Sequence, residues 1–237
     1  MHITGSQIGH YETGRSVPTD ATADALDVLL SAGGDLKEAA IRARGDAVAP
    51  WLQPWADNES RAAILRWFEP SVIPGLLQTE AYARAVTAAG LHTLDQIEEA
   101  VSTRLRRQAA ALDRPDPVTL TAIMDEAVLW HGHPGLMKSQ LEHLLDVGLR
   151  PNVHVRVVPY AAGLHAGHAG PFVIATLPTG APVTYVDGQL DGDVASRVGD
   201  LIRLSRRWES VCAMSLSCEQ TRVLIQRVIR DHETDVA

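Results

Sequence analysis

The segment Val118-Thr-Leu-Thr-Ala-Ile-Met124 marks a change in the pattern of apolar residues along the chain. Before this segment, apolar residues recur every three or four positions, whereas within it they tend to alternate with polar ones. A similar alternation returns in residues 153–158 and 183–186, and residues 172–177 form a short apolar run that is also typical of a strand. Because a period of 3.6 is typical of helices and a period of 2 of strands, the sequence predicts a helix-rich α+β fold with a small sheet of about four strands.

Three helices are expected between residue 58 and these strands, and one of them begins at Thr79 and is ended by Gly90. Asn58 is expected to cap a helix that Pro70 terminates and whose apolar residues are Ile64, Leu65 and Phe68. A longer helix is predicted over about 94–112, with three arginines near its C-terminal end, Arg104, Arg106 and Arg107. Basic side chains suit the C-terminal end of a helix dipole, so these arginines are predicted to form a solvated face.

A break in the helical pattern near residue 48 predicts two domains. Residues 1–48 contain three short helical segments, predicted over 5–13, from a cap at 19 or 20 to 33, and over 35–44. The stretch that follows them places Pro50 and Pro54 beside tryptophans. Proline-rich breaks of this kind are typical of linkers. We therefore expect a small helical domain over residues 1–48 and a larger α+β domain over residues 49–237.

The composition excludes several classes of protein. The chain has 21 Lys and Arg against 29 Asp and Glu, a formal charge of −8, whereas proteins that bind nucleic acid over a broad face are usually basic. Two cysteines are too few for a disulfide framework, and no apolar run reaches the roughly 18 residues of a transmembrane helix. There is also no signal-peptide pattern. We expect a cytoplasmic protein without a membrane partner.

Several strings between residues 51 and 230 resemble one family. They include Glu69-Pro-Ser-Val-Ile-Pro-Gly-Leu-Leu-Gln-Thr-Glu-Ala-Tyr-Ala-Arg84, Arg104-Leu-Arg-Arg-Gln108 and Gly163-Leu-His-Ala-Gly167. In order and spacing, these strings are similar to the effector domain of actinobacterial antitoxin-like helix-turn-helix regulators. The resemblance implies an effector domain that follows a helix-turn-helix, and a very small partner protein encoded beside the regulator.

The start of the chain resembles the second half of such a helix-turn-helix. Gly5-Ser-Gln-Ile-Gly-His-Tyr-Glu-Thr-Gly-Arg15 matches the recognition helix, but only four residues precede it. A helix-turn-helix needs the helix before it to hold the recognition helix on DNA. Residues 1–48 also hold four basic and seven acidic residues, a net charge of −3. We therefore expect a truncated helix-turn-helix remnant that no longer binds DNA.

Candidate catalytic residues cluster in the middle of the chain, where six of the ten histidines fall between residues 131 and 168. Paired carboxylates at a strand end can act as a general base, and histidines can transfer protons near neutral pH. The candidates for catalysis are Asp125, Glu126, His131, His133 and His165. The His131-x-His133 pair has no carboxylate or cysteine within four residues, so no metal site is predicted there.

A second group of residues is predicted to bind the substrate or an anion. The glycine-rich loop over residues 160–170 can close over a small ligand or bind an anion through its N–H groups. The candidates are Arg156, His168, Tyr185, Gln78 and Tyr82. This loop has neither the lysine of a phosphate-binding loop nor the glycine spacing of a dinucleotide fold, so no cofactor is expected.

The architecture also resembles the larger subunit of the two-protein complexes that form aziridine or azabicyclic rings in azinomycin-type pathways. That resemblance implies intramolecular displacement of an activated oxygen leaving group, such as sulfate, by an amine. The function predicted first is therefore a subunit of a secondary-metabolite enzyme that acts with a small partner protein on a small-molecule or carrier-protein-bound substrate. Two alternatives remain open, a helix-turn-helix transcriptional regulator with a misassigned start and a non-catalytic module that binds a partner or ligand.

Overall fold

A computed structural model describes residues 4–13, 15–43, 53–90, 92–187, 193–195 and 198–234. The chain divides into two compact units, Met1–Pro50 and Trp51–Ala237. Every helix in the described parts is too short or too polar to cross a lipid bilayer.

The first unit is helical in its described residues, with α1 (Gly5–Glu12), α2 (Asp20–Leu30) and α3 (Asp35–Ala43). Thr4 and Gln7 form a capping box at the start of α1. The carboxylate of Asp27 accepts hydrogen bonds from the backbone N–H groups of Leu36 and Lys37, at 3.0 and 2.8 Å. These bonds connect α2 to the first turn of α3. The three helices lie at the positions that the sequence predicts.

The second unit combines helices with a mixed sheet. Its helices and strands are α4 (Gln53–Arg61), β1 (Ile64–Glu69), α5 (Glu80–Ala89), α6 (Leu94–Leu112), β2 (Thr119–Asp125), α7 (Pro134–Val147), β3 (Val153–Val158), β4 (Phe172–Thr176), β5 (Pro182–Val186), β6 (Asp193–Ala195), α8 (Val198–Met214) and α9 (Cys218–Thr234). The helix-rich α+β class is therefore confirmed.

The sheet has six strands among the described residues, in the order β3-β2-β1-β4-β5-β6. Strands β1, β2 and β3 are parallel, whereas β4, β5 and β6 join antiparallel. Strands β2 to β5 are the four strands that the sequence predicts. The prediction of about four strands was too low, because β1 and β6 were not recognised.

The helix predicted to contain Ile64, Leu65 and Phe68 was wrong, because these residues form β1. Both Leu65 and Phe68 are fully buried although they point to opposite faces of the sheet. A strand covered on both faces is apolar on both faces and loses the alternation that identifies a half-exposed strand. The expected helix is instead α4, which ends three residues before β1 begins.

The sheet separates two apolar cores. One face packs against residues of α4, α5, α6, α7 and α9, including Trp55, Tyr82, Leu112, Leu144 and Val228. The other face packs mainly against α8, through Phe68, Ile123, Phe172, Leu204 and Trp208. Burial of apolar side chains on both faces fixes the register of the central strands.

The carboxyl ends of the three parallel strands meet at one edge of the sheet. Glu69 ends β1 and lies opposite Met124, while Asp125 ends β2 and lies opposite Val158 of β3. Ligand sites of open sheets with parallel strands lie at this edge. The connection from β3 to β4, residues 159–171, brings two histidines to it.

Candidate active site

Asp125 and two histidines form a cluster at this edge, which we call the Asp125–His165–His168 cluster. The Nε2 atom of His165 lies 3.1 Å from Oδ1 of Asp125, and the His165 side chain is only 3% exposed. The exposed His168 ring meets the His165 ring edge to face, with centroids 4.2 Å apart and planes at 76°. The structure therefore brings together three of the residues that the sequence predicted for the site.

A backbone hydrogen bond sets the protonation of the neutral His165 ring. The N–H of Gly167 donates to Nδ1 of His165 at 3.2 Å, so Nδ1 presents its lone pair to the backbone. In a neutral imidazole only one nitrogen carries hydrogen, which places the proton on Nε2. His165 is therefore a hydrogen-bond donor on the side that faces Asp125.

The Asp125 carboxylate is held in partly dry surroundings. Its Oδ1 atom is shielded from solvent and has no hydrogen-bond partner among the described residues, although Nε2 of His165 lies 3.1 Å away. Burial raises the pKa of Asp125, and the charge that His165 and His168 carry when they are protonated opposes this rise only in part. A carboxylate of raised pKa is a stronger general base than an ordinary surface aspartate.

The same three side chains resemble a metal-ligand set. One possible ligand atom of each residue lies within 4.8 Å of the other two. Two histidines and one carboxylate form a ligand set that binds several transition metals. A histidine that ligates a metal through Nε2, however, normally donates its Nδ1–H to a second group. Here Nδ1 of His165 accepts a hydrogen bond from Gly167. The cluster therefore fits acid–base chemistry and does not fit a metal held by Nε2 of His165.

The comparisons with known proteins give one match. A family model described as Domain of unknown function (DUF5753) matches residues 52–227, about three quarters of the chain. The chain belongs to the DUF5753 family. No curated protein and no solved structure matches it. The whole Asp125–His165–His168 cluster lies within the DUF5753 domain.

Two contacts hold the loop that carries the histidines of the DUF5753 domain. Gly167 packs so closely on Phe68 that an added Cβ would lie 2.3 Å from the Cζ atom of that ring. Oε2 of Glu126 accepts a hydrogen bond from the backbone N–H of Tyr160 at 2.8 Å. Glu126, which was predicted as catalytic, follows Asp125 in the chain, but its side chain holds the start of the loop.

The other two predicted catalytic histidines lie outside the cluster. Nδ1 of His131 is 3.2 Å from the carbonyl oxygen of Ser71. Nδ1 of His133 accepts the N–H of Gly135 at 3.3 Å and so caps α7. Both rings make contacts with the backbone, and neither is among the three side chains brought together at Asp125.

Arg156, predicted to bind an anion, binds the C-terminal end of α8 instead. Its guanidinium donates to the carbonyl oxygens of Cys212, Ser215 and Leu216 at 2.9 to 3.2 Å and lies 2.9 Å from the Cys212 sulfur. The last carbonyls of a helix have no partner within the helix, and this side chain supplies one. In this arrangement Arg156 positions α8.

Gln78, Tyr82 and Tyr185 lie on the opposite face of the sheet from the cluster. The hydroxyl of Tyr82 accepts the N–H of Ile73 at 3.2 Å, and Gln78 donates to the carbonyl of the same residue at 2.6 Å. Arg104 donates to Oε1 of Gln78. The two sequence strings that contain Gln78 and Arg104 therefore meet, and they fix the loop after β1. Tyr185 donates to Asp187 at 3.2 Å.

The prediction of a solvated arginine face on α6 was wrong for Arg107. Its guanidinium makes two hydrogen bonds of 2.8 Å to Glu59, whose side chain is 1% exposed. Arg104 is also largely withdrawn from solvent, whereas Arg106 is exposed. The reason is that α6 packs against α4 and against the loop after β1, so that basic residues at helical spacing point into the protein as well as out of it.

Glu69 is a second carboxylate at the same edge, and sequence reasoning missed it as a titrating group. It is 8% exposed and points to the face opposite Asp125. Burial is the main cause that raises the pKa of Glu69 to about 7, with Asp187 adding to the rise and the Ser71 backbone opposing it. In the sequence, Glu69 stands between apolar residues and Pro70. Because this segment was predicted as a helix, nothing in it indicated that the Glu69 side chain is buried.

Replacing Glu69 by glutamine is expected to change the pH dependence of stability. The carboxyl group has a higher pKa when folded, about 7, than its ordinary value of 4.5. The stability that the protonated Glu69 side chain contributes is therefore lost as pH rises from about 4.5 to about 7, and this loss is complete above pH 7. Since one pKa unit corresponds to about 1.4 kcal/mol, Glu69→Gln should gain on the order of 3 kcal/mol relative to wild type above pH 7.

Urea unfolding of both proteins between pH 4 and pH 8.5 measures this difference. The stabilities should be similar near pH 4 and separate as pH rises. A pH-independent difference would show that Glu69 does not titrate between these values in the folded protein.

Proposed function

We propose that the DUF5753 domain of this chain is an acid–base catalytic domain derived from the effector domain of a regulator. The observation that carries this proposal is the Asp125–His165–His168 cluster at the carboxyl edge of the parallel strands. It combines a partly buried carboxylate of raised pKa with a donor in a defined tautomer and an exposed imidazole. Such a combination can accept a proton from a substrate and pass it to solvent.

The reaction that we propose is closure of an aziridine or azabicyclic ring. A substrate amine attacks the carbon that bears a sulfate ester; the N–C bond forms as the C–O bond breaks, and sulfate leaves with the bonding electrons. The proton lost from the amine moves to Asp125. Holding the amine in line with the leaving group can supply about 7–11 kcal/mol of the barrier, so little covalent help is needed.

The two histidines have different parts in this proposal. The His165 side chain is buried with its Nε2 atom 3.1 Å from Asp125, so its ring shields one side of the carboxylate from water. His168 is exposed and packs on the His165 ring, so it can return the proton to solvent. The division follows from burial, because only the exposed ring can exchange protons with water directly.

We also propose that this domain acts with a small partner protein and that the first unit no longer binds DNA. The acidic balance of residues 1–48, with a net charge of −3, supports the second point because phosphate contacts require basic side chains. The partner follows from the resemblance of the effector strings. It is therefore tested in the same experiment as the chemistry.

The experiment is release of sulfate from 2-aminoethyl sulfate by the full chain, alone and with the small protein encoded beside it. Ion chromatography measures sulfate, and proton NMR measures the aziridine. General-base catalysis typically contributes 10²–10⁴-fold, so Asp125→Asn should slow release by at least about 100-fold. Asp113→Asn serves as the matched control, because Asp113 is an exposed partner of Arg150.

Equal rates for wild type and Asp125→Asn would contradict the proposed catalysis. So would the absence of sulfate release from the wild-type chain under both conditions. In either case the non-catalytic binding module would become the better description.

A further inference from the structure

A cavity of about 480 Å³ lies between α8 and the loop that carries His165 and His168. Its lining residues are Ala166, Gly199, Ile202, Arg203, Arg206 and Arg207. Small-molecule sites typically occupy about 300–1,000 Å³, so the volume suits a small organic ligand. The lining combines three arginines with the apolar Ile202 and the small residues Ala166 and Gly199.

The three arginines carry more positive charge than their surroundings neutralise. Arg203 pairs with Asp200 at 2.8 Å. For Arg206 and Arg207, the described residues provide neither an ion pair nor a hydrogen bond to the side chain. Arg203 is three residues from Arg206 and four from Arg207, a spacing that places like charges side by side on a helix and destabilises it. A bound anion would remove that repulsion.

The geometry points to a binding site for a ligand that carries a sulfate or phosphate group. Guanidinium groups bind tetrahedral oxyanions through paired N–H donors, and Arg206 and Arg207 have these donors available. Ile202 provides an apolar surface for the rest of the ligand. None of the predicted anion-binding residues lines this cavity.

This inference deepens the proposed function and rests on it for the reaction, since Ala166 of the lining follows His165 in the chain. The group bound by the arginines would be the sulfate or phosphate of the substrate. Binding itself depends only on α8 and on the loop. It can therefore be tested apart from catalysis.

The test is titration of the full chain with inorganic sulfate, inorganic phosphate, phenyl sulfate and phenyl phosphate at constant ionic strength, followed by arginine Nε–Hε NMR signals. Saturable binding is expected, tighter for the phenyl esters than for the inorganic ions. The double variant Arg206→Gln/Arg207→Gln should weaken binding at least tenfold. The relative affinity for sulfate and phosphate identifies which oxyanion the site prefers.

The matched control is Arg227→Gln/Arg230→Gln, which removes the same charge from α9. Arg227 is exposed and lies 3.7 Å from Asp231. A second variant, Arg206→Lys/Arg207→Lys, keeps the charge but loses the paired donors, and it should bind more weakly than wild type. Equal affinity of wild type and the glutamine variant would overturn the inference. An equal loss in the α9 control would also overturn it, because binding would then follow net charge alone.

Asp125→Asn separates this inference from the proposed reaction. It should bind phenyl sulfate as wild type does while losing sulfate release. Binding without sulfate release by the wild-type chain would leave the oxyanion site standing and contradict the catalysis. Sulfate release without binding at Arg206 and Arg207 would support the catalysis and overturn the oxyanion site.

Discussion

Glu59→Gln is expected to lower the free energy of unfolding by about 3–5 kcal/mol, the range for breaking a buried ion pair from one side. Glu59 accepts two hydrogen bonds from Arg107 and one of 3.2 Å from the indole of Trp55, and its side chain is 1% exposed. Glutamine keeps the shape but leaves the guanidinium charge without its counter-charge. The Arg107 side chain is itself mostly buried, so water cannot replace the carboxylate.

Denaturant unfolding followed by tryptophan fluorescence measures this loss. Glu98→Gln is the control, because Glu98 pairs with Arg84 on the exposed surface, where both groups remain hydrated. The double variant Glu59→Leu/Arg107→Met should recover much of the stability, since apolar replacement of both partners is often neutral. Similar losses for Glu59→Gln and Glu98→Gln would contradict a buried pair.

Phe68→Ala is expected to cost about 3–5 kcal/mol, and Gly167→Ala about 1–3 kcal/mol, for opposite reasons. Phe68 is fully buried and contacts the rings of Phe172 and His165, so its removal leaves a cavity. A Cβ at position 167 would lie 2.3 Å from the Phe68 ring and would force the loop outward. The double variant should lose less than the sum of the two, because the smaller residue at 68 makes room for the methyl group.

Urea unfolding of the four proteins gives this coupling free energy. Gly135→Ala is the control, because its added Cβ meets no atom closer than 3.7 Å. Additive losses would show that Gly167 and Phe68 do not share one space. The His168 NMR signal of Gly167→Ala should also shift, since the loop carries that ring.

The fold was predictable where one face of a strand is more polar than the other. Alternation identified β2, β3 and β5, and the length of an apolar run identified β4, whose two faces are both buried. Strand β1 was missed because the core covers both of its faces. The central strand of a mixed sheet is therefore the element that a pattern of polarity identifies least well.

The site was predictable as a set of residues but not as a set of contacts. Asp125 and His165 were identified from their chemistry, yet they are 40 positions apart, and their meeting depends on the conformation of the loop after β3. The arginines show the same limit. Arg107 and Arg206 look alike in sequence, and only the packing of α6 and α8 decides that one is neutralised by Glu59 while the other lines a cavity.

The two acidic strand ends have a further consequence for how this domain can vary. Glu69 and Asp125 end neighbouring strands, but the pleat directs one toward the larger core and the other toward α8. The two faces of the sheet thus border two separate cores, which share the strand backbone but no side chains. A substitution at Glu69 therefore acts first on the larger core, whereas one at Asp125 acts first on the face toward α8.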